Sequence, residues 1–481
     1  MMLTFIILAP IISCLFLVFI DASRTRLIRV FGLLSSLLVF AGSVLLLVLF
    51  DHSSSQFQHV ERFDWFFLSN YSFYLGVDGL SLYLVVLTAF LVPVCILISW
   101  SSVQHHCREY VICFLFLESL IFAVFTVLDL LLFYVFFEGV LIPMFVLIGA
   151  WGSRGRKVRA AYQLFVYTLL GSVLMLGAIL FIYIEVGTTD LLRLSVVELG
   201  SNLECLAWLA FFMSFAVKVP MFPFHVWLPE AHVEAPTAGS VILAGILLKL
   251  GGYGLLRFSI GLFPTASAFF SPLVFVLSIL SVVYASLTTI QQVDLKKIIA
   301  YSSVAHMNFV TLGMFCLNLQ GLEGSLFLML SHGIVSSALF LCVGVLYDRH
   351  HSRVVKYYAG LVHTMPLFVS FFVVFSLANL GLPLTTSFVG ELLILMGAFL
   401  TSTWIAFFAC TSMVFGAVYS LWLANRVSFG NLKVYSVQSF GDLTRREFMV
   451  LAPFGFLTFA FGIYPNPVLS AAHLSLVNLV A

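Results

Sequence analysis

The chain has 481 residues, of which 62% are hydrophobic and 9% charged, with a mean hydropathy of +1.14. A soluble domain carries about 25% charged residues, so a soluble globular protein is excluded and a polytopic membrane protein is indicated. The formal net charge of +1 says nothing about partners, and no feature calls for a nucleic acid.

The stretch from the N-terminus, MMLTFIILAPIISCLFLVFI, has no basic leader and reads as a retained first span. From there the apolar runs predict about fourteen transmembrane helices, near residues 2–21, 30–50, 78–100, 110–128, 130–151, 161–184, 205–228, 236–257, 268–290, 298–317, 324–347, 366–399, 404–425 and 448–470. On this count one side of the membrane collects Arg24, Arg26, Arg29, Arg108, Arg154, Arg156, Lys157, Arg159, Lys296, Lys297, Arg349, Arg353, Lys356, Arg426, Lys433, Arg445 and Arg446. The other carries only Arg62, Arg193 and Arg257, which puts both termini on the charge-poor side. The connections 51–77 and 185–204, with Asp51, Glu61, Asp64, Glu185, Asp190, Glu198 and Glu204, should fold over that charge-poor surface. The 52 Phe point to nucleotide bias of an organellar gene. None of the eight Cys forms a C-x-x-C pair, and most fall in apolar runs, so they read as buried small hydrophobes. There is no Walker A loop and no strand-linked G-x-G-x-x-G. No cofactor and no metal are expected on this chain.

The seventh and eighth spans each carry one isolated lysine, Lys218 and Lys249. Each lies about thirteen residues from one end of its span, which at ~1.5 Å per residue is near the bilayer midplane. An ammonium there costs several kcal/mol unless it is paired, hydrated or neutral. Pro220 and Pro223 remove two backbone donors just past Lys218, so that helix must bend or open. Gly381-Leu382-Pro383 interrupts the twelfth span in the same manner, with Thr385, Thr386, Ser387 and then Glu391 beyond it. Five spans apart means opposite orientation, the mark of inverted-topology repeats whose broken helices meet at the midplane. The expected fold is therefore all-α, with two inverted five-helix repeats, spans 4–8 and 9–13. The domain division that follows is 1–107, 108–258, 259–428 and 429–481.

Few other ionisable groups fall inside spans. Glu138 reads either as a structural carboxylate or as the counter-charge of Lys218. Lys218 and Lys249 are either structural ion-pair members or proton carriers. His306, His332 and Glu118 divide between core hydrogen-bonding and relay roles. His225 and Glu230 sit where an interfacial role is expected, and Asp294, Lys296 and Lys297 where ordinary topology determinants are expected. Carboxylates, lysines and neutral imidazoles in a row across the midplane can pass protons through water. Metal binding is disfavoured, because the acids and histidines are scattered singly over different helices.

These residues lie in FYLGVDGLSLYLVVLT (73–88), FYVFFEGVLIPMFVLIGAWGSR (133–154), FAVKVPMFPFHVWLPEAHVEAPTAGSVILAGILLKLG (215–251), DLKKIIAYSSVAHMNFVTLGMF (294–315) and LSHGIVSSALFLCVGVLYDRH (330–350). In them the chain resembles, over nearly its whole length, the antiporter-like subunits of respiratory complex I, of the subunit-4 type. The resemblance implies a proton channel with Glu138 and Lys218 as ion pair, Lys249 as central relay, Glu391 as terminal acid, and His306 and His332 as bridges. It also implies that NADH, FMN, iron–sulfur clusters and ubiquinone are bound by other subunits, with the antiporter-like subunits 2 and 5 as neighbours. The mitochondrial inner membrane is the expected location, positive loops toward the matrix. A Mrp-type cation/proton antiporter subunit is the alternative. Ser387-Phe388 before Gly390-Glu391 departs from the family's usual GF-x-GE.

Overall fold

The computed structural model describes residues 1–64, 72–153, 155–197, 199–432 and 441–480. Arg154, Glu198 and Lys433 lie outside the described residues, as does the side chain of Asp64. Helices α1 (Met2–Val18) and α2 (Thr25–Leu49) lead into an antiparallel hairpin of β1 (Gln58–Asp64) and β2 (Ser72–Val77). The hairpin does lie over a helix end. Glu61 accepts from the backbone N–H groups of Leu3 and Thr4, supplying partners that the first turn of α1 lacks.

Helices α3 (Leu82–Ser102) and α4 (Cys107–Thr126) follow. The fifth predicted span is two pieces, α5 (Leu130–Gly139) and α6 (Leu141–Trp151). Asp129 starts the first by accepting from Leu131 N and Leu132 N. Pro143 explains the offset, since it cannot donate to Gly139 and its ring crowds that carbonyl. Then come α7 (Lys157–Val186), the short α8 (Leu191–Leu194), α9 (Ser201–Lys218) and α10 (Trp227–Glu234). Residues Thr237–Ile260 form one rod in which α11 (Thr237–Ile242) and α12 (Leu248–Gly254) alternate with π-helical turns at Leu243–Leu247 and Leu255–Ile260. Such turns are frequent at functional sites. The chain continues through α13 (Pro264–Ile290), α14 (Leu295–Phe315), α15 (Leu319–His350), α16 (Pro366–Leu380), α17 (Thr386–Thr401), α18 (Thr403–Ser428), α19 (Arg445–Ile463) and α20 (Asn466–Val480).

Among the described residues, 11 helical stretches are long and apolar enough to cross a membrane, with shorter apolar helices at Met2–Val18, Pro366–Leu380, Thr386–Thr401 and Asn466–Val480. The fold is all-α and polytopic, as a bilayer demands of a chain that must satisfy its own backbone groups. The last predicted span ends earlier than 470. Pro465 and Pro467 stop α19 at Ile463, and α20 is a separate helix packed on the start of α15.

Burial sorts the helices. The apolar windows of Thr237–Ile260 and of α15 are 100% buried, whereas those of α2, α18 and α19 are 28% buried and offer apolar flanks to lipid. The two buried rods meet closely at Gly333. A Cβ there would lie 2.6 Å from Leu87 Cδ2 and 3.1 Å from the Gly245 carbonyl oxygen. Gly333→Ala is therefore expected to cost about 1–3 kcal/mol by overpacking. Native gels of heated membranes should show earlier loss of the assembled protein; unchanged heat resistance would contradict the packing argument.

A candidate proton relay across the buried helices

The break beyond Lys218 is satisfied side chain by side chain. Trp227 Nε1 donates to the Val217 carbonyl (3.0 Å), Phe222 N donates to Ser281 Oγ (2.8 Å), and Asn308 Nδ2 donates to the Pro220 carbonyl (3.1 Å). Lys218, the last residue of α9, is 3% exposed. Its Nζ donates to the Phe137 carbonyl at 2.9 Å and lies 3.5 Å from the centre of the Phe137 ring. That carbonyl is accessible because α5 ends two residues later, at Gly139. Glu138 is next in sequence, with Lys218 and the Ser172 hydroxyl as its polar neighbours. Both of its carboxylate oxygens are buried without a hydrogen-bond partner, so the expected ion pair is not closed in this structure.

Lys249 is wholly buried between the two π-helical turns. Its Nζ donates to the Ala244 carbonyl (2.5 Å) and lies 2.7 Å from His332 Nδ1, which accepts from the ammonium or donates to the neutral amine. The glycine contact described above sets this distance, because Gly333 adjoins His332 and its missing Cβ would sit 3.6 Å from Lys249 Cε. The His332 and His306 rings are 5.8 Å apart between centres. His306 Nδ1 is 3.4 Å from Glu391 Oε1, and the remaining Nε2 of each histidine is buried without a partner. Glu391 is 4% exposed and sits against Gly381, which closes α16 at φ 81°. Only a glycine suits that place, since the backbone is left-handed and a Cβ would meet the carboxylate. Asn379, Ser412 and Tyr419 line a small cavity beside Glu391 and His306. The structure thus brings Lys249, His332, His306 and Glu391 into one line.

Glu118 stands apart from that line. It is fully buried, both oxygens lack partners, and its titratable neighbours are Cys14 and Cys95. Two side chains expected near the membrane edge are buried inside the bundle. His225 is not solvated: it is 5% exposed and packs among the rings of Phe222, Tyr284 and Tyr301. Lys296 has a structural role beyond any part in topology. It is 2% exposed and donates to the Ala235 carbonyl (2.8 Å) and to Ser240 Oγ (3.3 Å). Lys297, one residue on, is half-buried and pairs with Glu230 at 2.9 Å.

Three residues of the site are not assigned to it by sequence reasoning. Asn308 supports the broken helix. Lys296 lines a cleft with Asp348, Thr237 and Ser153. His232 is fully buried, stacked on Phe340 at 4.6 Å, with both ring nitrogens unpartnered and within electrostatic reach of both Lys296 and Lys249. The one legible signal for His232 is its place three residues before Ala235-Pro236.

Broken helices around buried lysines, in a bundle of this topology, define the antiporter-like class of membrane protein. A family model described as NADH:quinone oxidoreductase/Mrp antiporter, TM matches residues 127–416. NADH-ubiquinone oxidoreductase chain 4 of Marchantia polymorpha is 57% identical over 99% of this chain and 96% of its own length, and that of Arabidopsis thaliana 58% identical over the same shares. A chain in the solved structure of respiratory complex I from Thermus thermophilus with bound NADH superposes with TM-score 0.90 at 28% identity over 100% of both chains. A chain of the Mrp complex from Dietzia sp. DQ12-45-1b shares the fold, with TM-score 0.84 at 19% identity over 98% of this chain and 51% of that one. The chain belongs to the NADH-ubiquinone oxidoreductase chain 4 family. Among the described residues no group of three or more His, Cys, Asp or Glu is placed to hold a metal ion.

Proposed function

We propose that the chain is the proton-translocating membrane subunit of an NADH:ubiquinone oxidoreductase, with electron transfer carried out by other subunits. The observation that carries this reading is the succession of Lys249, His332, His306 and Glu391 across four neighbouring helices, two of them wholly buried, with gaps of 2.7 Å between Lys249 and His332, 5.8 Å between the imidazole centres and 3.4 Å between His306 and Glu391. A bundle with no transport role gains nothing from an amine, two imidazoles and a carboxylic acid at that depth, where each must be desolvated.

Protons reach the line from the cleft beside Lys296 and Asp348, through Ser240 and His232 to Lys249. Glu138 and Lys218 control the loading. When Glu138 draws close, the Lys218 ammonium is held; when it withdraws, as here, the Phe137 carbonyl and ring hold the ammonium more loosely. Two unit charges ~10 Å apart at an effective dielectric of ~20 repel by roughly 1.7 kcal/mol, enough to pass a proton from one basic site to the next. Charging Lys218 therefore drives the proton of Lys249 toward His332, and Glu391 receives it at the far end.

The paired interruptions at 218–223 and 380–386 support two inverted repeats, 108–258 and 259–428, flanked by 1–107 and 429–481. The charge distribution supports a mitochondrial inner-membrane orientation with positive loops in the matrix and both termini in the intermembrane space. The neighbours are membrane-arm subunits of the same complex, subunits 2 and 5 among them. The Mrp-type alternative rests on the family model that covers both kinds of protein and on fold likeness at 19% identity. Mild-detergent purification of the chain from its native membrane distinguishes the two. NADH oxidation coupled to ubiquinone reduction should travel with it; a particle that exchanges sodium for protons and oxidises no NADH would overturn the reading.

A further inference from the structure

The rod Thr237–Ile260 carries a second polar row that the relay does not use. Lys249, Tyr253 and Arg257 are spaced by four residues and so lie on one face, Arg257 about 12 Å along the axis from Lys249. Arg257 is 8% exposed. Its Nη2 donates to Asp78 Oδ1 at 2.5 Å, its Nε donates to the Tyr253 hydroxyl at 3.3 Å, and the guanidinium packs 4.9 Å from the centre of the Phe57 ring. Tyr253 in turn donates to the Phe125 carbonyl at 3.2 Å. Beyond Arg257 opens a cleft lined by Asp78, Ser55, Ser195, Ser475 and Asn478, on the side of the bundle where the hairpin and α20 lie. A polar cleft thus comes to a little over two helical turns from the central lysine, at the end of the rod away from Lys296.

We propose that Arg257, fixed by Asp78 and Tyr253, is a proton-insulating plug that seals the relay from this cleft. A hopping proton needs, at each step, a group that accepts on one side and donates on the other. A guanidinium has five donors, no acceptor and no accessible neutral form. The Tyr253 hydroxyl cannot substitute for it, because its proton is committed to a backbone carbonyl and its oxygen receives Arg257 Nε. The fixed positive charge adds an electrostatic barrier of the kind that excludes protons from water pores. Protons on Lys249 are thereby confined to the sideways path through His332.

The inference rests on the reading of Lys249 as a proton carrier, and its test separates the two. The assembled complex is reconstituted into vesicles enclosing a pH dye, without NADH, and passive proton flow is recorded under an imposed potential. Arg257→Gln removes the fixed charge and leaves room for water beside Asp78, and Arg257→His installs a side chain that accepts as well as donates; either should raise the flow on the order of tenfold, one decade in rate. Arg257→Lys keeps a charge beside Asp78 but has an accessible neutral form, so it should leak more than the unaltered protein and less than the histidine variant. Electron transfer from NADH to ubiquinone should persist in the leaky variants while the protons retained per electron fall. If Arg257→Gln does not assemble, Arg257→His carries the test. Wild-type tightness in an assembled Gln or His variant overturns the plug. A leak abolished by adding Lys249→Met supports both readings; a leak indifferent to Lys249→Met keeps the plug as a seal and removes Lys249 from the path.

Discussion

Lys249→Met should reduce NADH-driven proton pumping by on the order of tenfold or more, while the complex still assembles. Methionine matches the unbranched shape of lysine and fills irregular apolar space, so the site can stay packed. The substitution leaves the Ala244 carbonyl and His332 Nδ1 without their shared partner, at about 1–3 kcal/mol for each buried group. Removing an amine that has to be desolvated offsets several kcal/mol of that loss. Net stability should therefore change little, and the pumping defect should be separable from assembly. Dye quenching in sealed vesicles measures the first, and native gels the second. Full pumping by an assembled Lys249→Met complex would exclude the lysine from the path.

Glu391→Gln should slow pumping and the coupled ubiquinone reduction together. Glutamine preserves volume and hydrogen-bonding capacity, so contact with His306 and the fit against Gly381 are retained. What it lacks is a proton to take up and release. Glu391→Asp draws the carboxylate back by one methylene, away from His306, into a pocket edged by Asn379, Ser412 and Tyr419 where a water can bridge. Its defect should be milder, and its rate should keep a pH dependence that the glutamine variant has lost. Equal rates for Glu391→Gln and the unaltered protein, with coupling intact, would place the end of the path elsewhere.

Much of this arrangement is legible in the sequence, for identifiable reasons. Lys218, Lys249 and Glu391 stand out because a charge in a long apolar run has no other explanation, and the proline pairs mark where helices break. The fold class follows from hydropathy alone. The contacts are less legible. His332 meets Lys249 across 83 positions because Gly333 lets two helices approach, and nothing local to either residue announces the partner. The π-helical turns leave no composition signal, since their residues are ordinary helix formers. Lys296 was masked by Lys297. Adjacent helical residues point about 100° apart, so one lysine of a basic pair can reach the surface while the other is buried against Ser240. His232 lies in a stretch with Glu230 and Glu234 that looks solvated, and only tertiary packing against Phe340 dries it.

Helix α20 ties the start of α3 to the start of α15. The Tyr83 hydroxyl donates to the Pro467 carbonyl at 2.8 Å over a separation of 384 positions, Gly79 lies against the Ala471 carbonyl, and His473 meets Glu323 at 2.6 Å. A ribosome inserting this protein must therefore synthesise the chain through α20 before the start of α3 finds its final neighbours. Contacts so distant in sequence form late, after the loop between them has been closed. The bundle is in that sense latched by its last segment. A nascent chain halted short of Asn466 would leave the loop around Asp78 uncovered, which offers quality-control proteases a way to tell finished copies from unfinished ones.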